Sequence, residues 1–143
     1  MTGPLERARE RRRGLQAALV AVEDAVAAPW SGREEAWRAR VDDALLEAEA
    51  ALVAHVAATE APDGLFAEVM EQAPRLAHAV AKLRAEHTTL REALAALRRD
   101  AAVAPPEQIY ERTLPLLGAF SQHRHRGAEL VYEAYNVDIS SGD

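Results

Sequence analysis

The sequence predicts an all-α protein with the architecture of an up-down-up-down four-helix bundle. Alanine and leucine dominate, and aromatic residues make up 5% of the chain, a composition that favours helix over sheet. Apolar residues recur at alternating spacings of four and three, as they do on one face of a helix. Prolines and glycines cluster at a few points, which indicates short connections between long helices.

The first two long helices are bounded by recognisable signals. Pro4 is a favourable first residue for a helix, and the apolar stripe that follows predicts a helix over about 4–28. Ser31 and Glu34 have the spacing of a capping box, in which each side chain bonds to the backbone amide of the other residue. The second helix is therefore expected to begin there and to extend to about residue 60.

The second half of the chain contains one short and two long helices. Asp63 is placed to cap a short helix over 65–72, and the third long helix is expected over about 74–100. The fourth is expected over about 107–135, followed by a non-helical tail over 136–143. We therefore assign residues 1–135 to one bundle domain, because 143 residues suffice for a single core.

Composition narrows both the chemistry and the location. The chain has no cysteine, which excludes disulfides, thiolate catalysis and cysteine-ligated metals, so any metal must bind nitrogen and oxygen. A net charge of -6 disfavours nucleic acid as a partner. No signal-peptide core is recognisable, and no apolar run reaches the roughly 20 residues of a membrane span. We expect a cytoplasmic protein without a membrane partner.

Three helices each place a histidine on the face that points into the bundle. His87 lies between Leu83 and Leu90 of an apolar stripe, and His55 and His123 occupy equivalent positions on their own helices. Several inward imidazoles in a bundle core are typical of a metal site between helices. We therefore treat these histidines as candidate metal ligands.

A shared metal also requires the three histidines to lie at one depth. At 1.5 Å per residue, His87 and His123 are about 20 and 26 Å from the same end of the bundle. His55 is level with them only if segment 65–72 continues the direction of the second helix. His78 lies off the apolar stripe and is expected to be exposed. Further candidate ligands near these positions are Glu60, Glu86, His125 and Glu129.

Four segments resemble the hemerythrin-like (HHE cation-binding) domains, in a divergent, actinobacterial-type form. They are AHVAATE at 54–60, DGLFAEV at 63–69, LRAEH at 83–87 and HRHRGAELVYEAY at 123–135. The resemblance covers nearly the whole chain. It implies a four-helix bundle that holds two irons through five histidines and two carboxylates. It also implies a function in binding oxygen or in sensing oxygen, nitric oxide or iron.

The ligand pattern departs from that family on every helix. The first helix has no histidine, and Gln16 is its nearest uncharged polar residue. On the second helix the family's His-x3-Glu becomes His55 with Thr59 at the fourth position. On the third, only His87 of the family's histidine pair is present, and the fourth lacks the His-x4-Asp spacing. In place of a conventional di-iron site we expect iron as one ion, iron in a degenerate di-metal site, or no metal.

The first functional hypothesis is a divergent hemerythrin-like metal-binding protein. It would hold one iron, manganese or zinc ion, and its open coordination positions would bind O2 or NO. The ligands would be the three inward histidines and one carboxylate, drawn from His55, His87, His123, Glu60, Glu86 and Glu129. His125 and Glu129, one turn apart on one face, are a further pair of candidates.

Two other hypotheses need no metal. A degenerate bundle would act as a protein-interaction or regulatory module through the arginine-rich segment 7–13 or through Tyr132 and Tyr135. Alternatively, the histidines would serve as general bases in a core pocket of an enzyme or small-molecule binder. No nucleophile elbow or glycine-rich phosphate loop identifies a substrate for the second of these.

Overall fold

The computed structural model describes the backbone of residues 2–141 and the side chains of residues 2–135. Every regular element in this part of the chain is helical, which confirms the all-α prediction. In chain order the helices are α1 (Pro4–Ala27), α2 (Glu34–Glu60), α3 (Leu65–Gln72), α4 (Ala77–Ala101) and α5 (Pro106–Ser141), with a 3-10 turn (Pro74–Leu76) before α4. None of these helices combines the length and the apolar character that crossing a membrane requires.

The four long helices form a bundle in which each packs against two others. α1 contacts α2 and α5, and α4 contacts the same two helices. Each helix contributes side chains that are at most 1% exposed, such as Val22, Leu45, Leu94 and Ile109. Full burial of one such side chain contributes roughly 1.5–3 kcal/mol, so the apolar stripes read from the sequence hold the bundle together.

The buried apolar side chains form two separate clusters. The first, which we call the large core, includes Leu15 of α1, Leu52 of α2, Leu90 of α4 and Phe120 of α5. The second, which we call the small core, includes Ala8 of α1, Phe66 and Val69 of α3, Leu83 of α4 and Leu130 of α5. Because α1, α4 and α5 contribute to both cores, the stretch of each helix between them forms a boundary layer.

The turn between α1 and α2 differs from the predicted capping box. Gly32 has a φ of 72°, a left-handed conformation that glycine adopts without steric cost. The amide of Arg33 donates to the carbonyl of Trp30 at 2.9 Å. Because of this tight turn, α2 begins at Glu34 with Arg33 as its N-cap, and no side chain caps it. The capping box predicted from Ser31 is therefore wrong.

The connection between α2 and α3 depends on a close backbone approach at Gly64. A Cβ atom there would lie 2.8 Å from the carbonyl oxygen of Ala58, which is too close for any larger residue without a shift. α3 starts directly after Gly64 and has no side-chain cap, so the predicted cap by Asp63 is wrong. The compact turn places α3 against α1, α2 and α5, where Phe66 and Val69 contribute to the small core.

The last helix is longer than predicted. α5 continues to Ser141, so the expectation of a non-helical tail is wrong for the backbone of residues 136–141. This stretch contains neither proline nor glycine, the residues that most often end a helix. The rest of the predicted tail, residues 142–143, lies outside the described residues.

Candidate metal centre

A single polar layer separates the large core from the small core. Each long helix contributes one of its residues, which are Arg12, His55, His87 and His123. His87 illustrates the arrangement, because it lies between Leu83 of the small core and Leu90 of the large core. All four side chains line one cavity. We refer to these four residues as the polar layer.

The three histidines of the polar layer meet inside the bundle. The ring centroids lie 4.8 Å apart for His87 and His123, 5.1 Å for His55 and His87, and 5.7 Å for His55 and His123. One ring nitrogen from each residue lies within 4.8 Å of the corresponding nitrogens of the other two. The side chains are buried, with exposed fractions of 8%, 2% and 6% in chain order. The structure thus brings together the three histidines that the sequence placed on inward faces.

Two carboxylates are hydrogen-bonded to the Nδ1 atoms of two of these rings. Nδ1 of His87 lies 2.5 Å from Oε2 of Glu60, and Nδ1 of His123 lies 2.7 Å from Oε1 of Glu86. A carboxylate accepts hydrogen bonds, so the ring nitrogen that faces it carries the proton and Nε2 is left as an acceptor. Metal-binding histidines are oriented by carboxylates in the same way. Glu60 and Glu86, which the sequence offered as ligands, are hydrogen-bonded to the rings of His87 and His123 in this structure.

Each of these carboxylates is itself paired with an arginine. Arg126 lies 2.7 Å from Glu86, and Arg84 lies 3.4 Å from Glu60. Burial raises the pKa of Glu86, but the hydrogen bonds from His123 and Arg126 outweigh this effect and leave the pKa below its usual value. Glu86 is therefore ionised at neutral pH and acts as an acceptor for both partners.

Three buried ring nitrogens have no hydrogen-bond partner in the described part of the chain. They are both nitrogens of His55 and Nε2 of His87. An unsatisfied buried polar atom costs about 1–3 kcal/mol, and such atoms are uncommon in native proteins. These nitrogens are therefore open to hydrogen bonding with a buried water molecule or to coordination of a ligand.

His55 and His87 are also in the neutral form that metal coordination requires. Burial, with the nearby His87, His123 and Arg12, lowers the pKa of His55 to about 3. Burial lowers the pKa of His87 as well, and the hydrogen bond to Glu60 offsets only part of this effect. Both rings are consequently neutral at neutral pH, with lone pairs available for coordination.

A cavity of about 60 Å³ lies beside the three histidines. Its walls are mainly apolar and include Leu15, Phe66 and Phe120. Phe66 stacks on the His87 ring, with a centroid distance of 5.8 Å and an angle of 11° between the planes. The cavity is large enough for more than one water molecule, so it has room for a small ligand next to the imidazoles.

The remaining candidates from the sequence lie outside this cluster. His125 and Glu129 form an exposed pair with 3.0 Å between Nε2 and Oε1 and side chains 75% and 62% exposed. The structure does not bring this pair to the three histidines. The hydroxyl of Thr59, at the family's carboxylate position, lies 3.1 Å from the carbonyl of His55 and is satisfied by the backbone. His78 is exposed, as expected.

Arg12 is also part of the site, although it was not among the candidates predicted from the sequence. Its half-buried side chain lines the histidine cavity. Burial and the nearby positive charges of Arg9 and Arg124 lower its pKa. The signal was present in the sequence, because Arg12 falls between Ala8 and Leu15 on the inward stripe of α1, where an apolar residue is expected.

Comparison with known proteins does not identify a ligand for the three histidines. The chain matches no protein-family model, and no curated protein or solved structure is significantly similar to it. Three imidazole nitrogens without thiolate suit zinc and iron among the common metals. Three protein ligands with an open position are typical of sites that also bind a small molecule.

Proposed function

We propose that the protein is a metalloprotein that binds one zinc or ferrous ion through His55, His87 and His123. The observation that supports this most directly is that three buried imidazoles from three helices converge and leave ring nitrogens unpartnered. Leucines at these positions would fill the bundle without the cost of unsatisfied polar atoms. A cation bound to one nitrogen of each ring would account for the convergence of the three imidazoles.

The distances are compatible with coordination after small side-chain movements. Zinc binds imidazole nitrogen at about 2.0–2.1 Å, so two ligands of a tetrahedral ion lie roughly 3.4 Å apart. The three nitrogens lie within 4.8 Å of one another. Rotations that move each ring by about an ångström close this gap, and Glu60 and Glu86 keep two of the rings pointing inward.

The set of donor atoms narrows the choice among iron, manganese and zinc, the three metals that the sequence left open. Manganese prefers oxygen ligands, whereas imidazole suits zinc and iron. The carboxylates nearest to the centre, Glu60 and Glu86, are already bonded to histidine and arginine side chains. We therefore favour an all-histidine site over one in which a carboxylate joins the three histidines.

In this proposal the chain is a divergent hemerythrin-like protein with an up-down-up-down bundle. It binds one ion in place of the family's two, and it acts in the cytoplasm. Three protein ligands leave a position for a small ligand, and the adjoining cavity has room for one. The family resemblance implies O2 or NO as that ligand when iron is bound. The arginines that line the same cavity favour an anion as the ligand.

Elemental analysis of untagged protein, expressed in medium supplemented with iron and zinc, tests the proposal. We expect about one ion per folded chain. His87→Ala and His123→Ala should each reduce the metal content at least tenfold, because each removes one of three ligands. The exposed histidines of the same helices provide matched controls, and His78→Ala and His125→Ala should leave the content unchanged.

Each alternative outcome contradicts a definite part of the proposal. A well-folded protein without metal would exclude the metal centre and favour the interaction module. Two ions per chain would exclude the single site. Unchanged content in His87→Ala, with loss in His125→Ala, would place the metal on the exposed face of α5.

A further inference from the structure

The mouth of the histidine cavity carries positive charge without a matching negative charge. Arg12 and Arg124 both line the cavity, and Arg9 and Arg13 are near enough to lower the pKa of Arg12. Neither Arg12 nor Arg124 forms an ion pair with any residue in the described part of the chain. A half-buried guanidinium among like charges is unfavourable unless an anion accompanies it.

The carboxylates of the centre do not supply that anion. Glu60 is paired with Arg84, and Glu86 is paired with Arg126, so each negative charge already has a positive partner. A divalent cation on the three histidines would therefore add two further positive charges beside Arg12. An external anion at the cavity mouth would offset this excess of positive charge.

The surface outside the cavity extends the same positive charge. An open groove between α1 and α5 is lined by Arg12, Arg13 and Arg124, which form no ion pair in the described part of the chain, and by Gln16, His125 and Arg126, the last two of which are paired with carboxylates. It shares Arg12, Gln16 and Arg124 with the histidine cavity. A groove lined by one sign of charge attracts ligands of the opposite sign and raises their local concentration. The groove and the cavity together form an entrance for an anion.

We propose that Arg12 and Arg124 bind a small carboxylate at the mouth of the cavity, where its oxygens face both the guanidinium of Arg12 and the open position of the metal. This inference rests on the metal centre proposed above. Arginine binds carboxylate and phosphate through paired hydrogen bonds. The carboxylate group is the smaller of the two and is planar, which suits a cavity of about 60 Å³ with apolar walls.

Titration with acetate tests the proposal on the protein with and without Co²⁺. Cobalt replaces zinc or ferrous iron at histidine sites, and its visible absorption reports changes in coordination. We expect acetate to change the Co²⁺ spectrum of the wild type in a saturable manner. Arg12→Gln should weaken acetate binding at least tenfold, whereas Arg11→Gln, an exposed residue of the same helix with the same charge change, should alter it by less than twofold.

A second variant and a second probe complete the test. Arg124→Gln, at an exposed position, should weaken acetate binding at least threefold, and it applies even if Arg12→Gln does not fold. Equal effects of Arg12→Gln and Arg11→Gln, or no acetate binding to Co²⁺-loaded protein, would overturn the proposal. Inorganic phosphate that binds more tightly than acetate in an Arg12-dependent manner would overturn the choice of carboxylate.

The failure of the metal centre and the failure of the anion site give different results. A protein that takes up no Co²⁺ contradicts the proposed metal centre. Calorimetry with acetate on the metal-free protein then measures the arginine contribution alone, and a tenfold difference between Arg12→Gln and Arg11→Gln would still support the anion site. Co²⁺ uptake without any acetate effect contradicts the anion site alone.

Discussion

The large core and the polar layer are adjacent levels of the same helices, yet they are built in opposite ways. In the large core, Leu45 and Leu94 are buried to 0% and 1% exposure among other apolar side chains. In the polar layer, His55 and His87 are buried nearly as deeply, but three of their nitrogens lack partners. The large core is expected to account for most of the stability, whereas the unpartnered nitrogens of the polar layer are expected to lower it and are the atoms that we propose bind the metal. Natural proteins often show this opposition between stability and function.

The largest expected effect is in the large core. Leu94→Ala should lower the free energy of unfolding by about 2–5 kcal/mol, because it removes buried contacts and leaves a cavity. Chemical denaturation of the metal-free protein measures this loss. The fraction of folded variant should still bind metal in the same ratio as the wild type. Loss of metal binding by folded Leu94→Ala would mean that the two levels are not independent.

The polar layer should respond to an apolar substitution in the opposite direction. His55→Leu removes two unpartnered buried nitrogens and should raise the free energy of unfolding of the metal-free protein by about 1–3 kcal/mol. The same variant should lose metal binding. His78→Leu, at an exposed position of α4, serves as the control and should change stability by less than about 0.5 kcal/mol. A destabilised His55→Leu would show that the imidazole already has a stabilising role without metal.

The contrast between the two levels also explains what could be predicted from the sequence. The four-and-three spacing fixes which face of each helix points inward, so the burial of His55, His87 and His123 followed from local pattern alone. Their meeting at one depth depends on how α2, α4 and α5 are placed along the bundle, which loop lengths constrain only loosely. The turn at Gly32 shows the same limit, because its left-handed conformation, not the spacing of Ser31, sets the start of α2.

The roles of the charged residues could not be predicted from the sequence, for a different reason. Glu60 and Glu86 contact histidines of neighbouring helices, 27 and 37 residues away along the chain. Spacing within one helix cannot show such contacts, so the sequence offered both residues only as possible ligands. Arg12 lies on the inward stripe of α1, but in the sequence it belongs to the arginine-rich segment 7–13, which was considered only as a protein-interaction surface. Only the shared cavity associates it with the histidines.

The pairing between Glu60 and His87 tests the polar layer without changing one of the three histidines. In the proposed site, Glu60 orients the His87 ring and does not itself bind the metal. Glu60→Gln should weaken metal binding by about 10–100-fold, the usual cost of losing a carboxylate behind a metal-binding histidine. Competition with a chelator of known affinity measures this change. Glu129→Gln, an exposed carboxylate in a histidine pair of its own, should leave the affinity unchanged. Loss of all metal in Glu60→Gln would favour Glu60 as a direct ligand.

The smallest expected effect is the pH dependence of stability in the metal-free protein. The pKa of His55 is about 3 in the folded state, against an ordinary value of 6.5. Below pH 6.5 the unfolded chain therefore binds a proton that the folded protein does not bind, and the free energy of unfolding falls with pH. At pH 5.5 this residue should account for a loss of about 1.4 kcal/mol relative to pH 7.5. Denaturation at both pH values should show a loss smaller by this amount in His55→Leu than in the wild type. Equal losses would mean that His55 takes up its proton in the folded protein, and the polar layer would then resemble a solvated surface more than a buried centre.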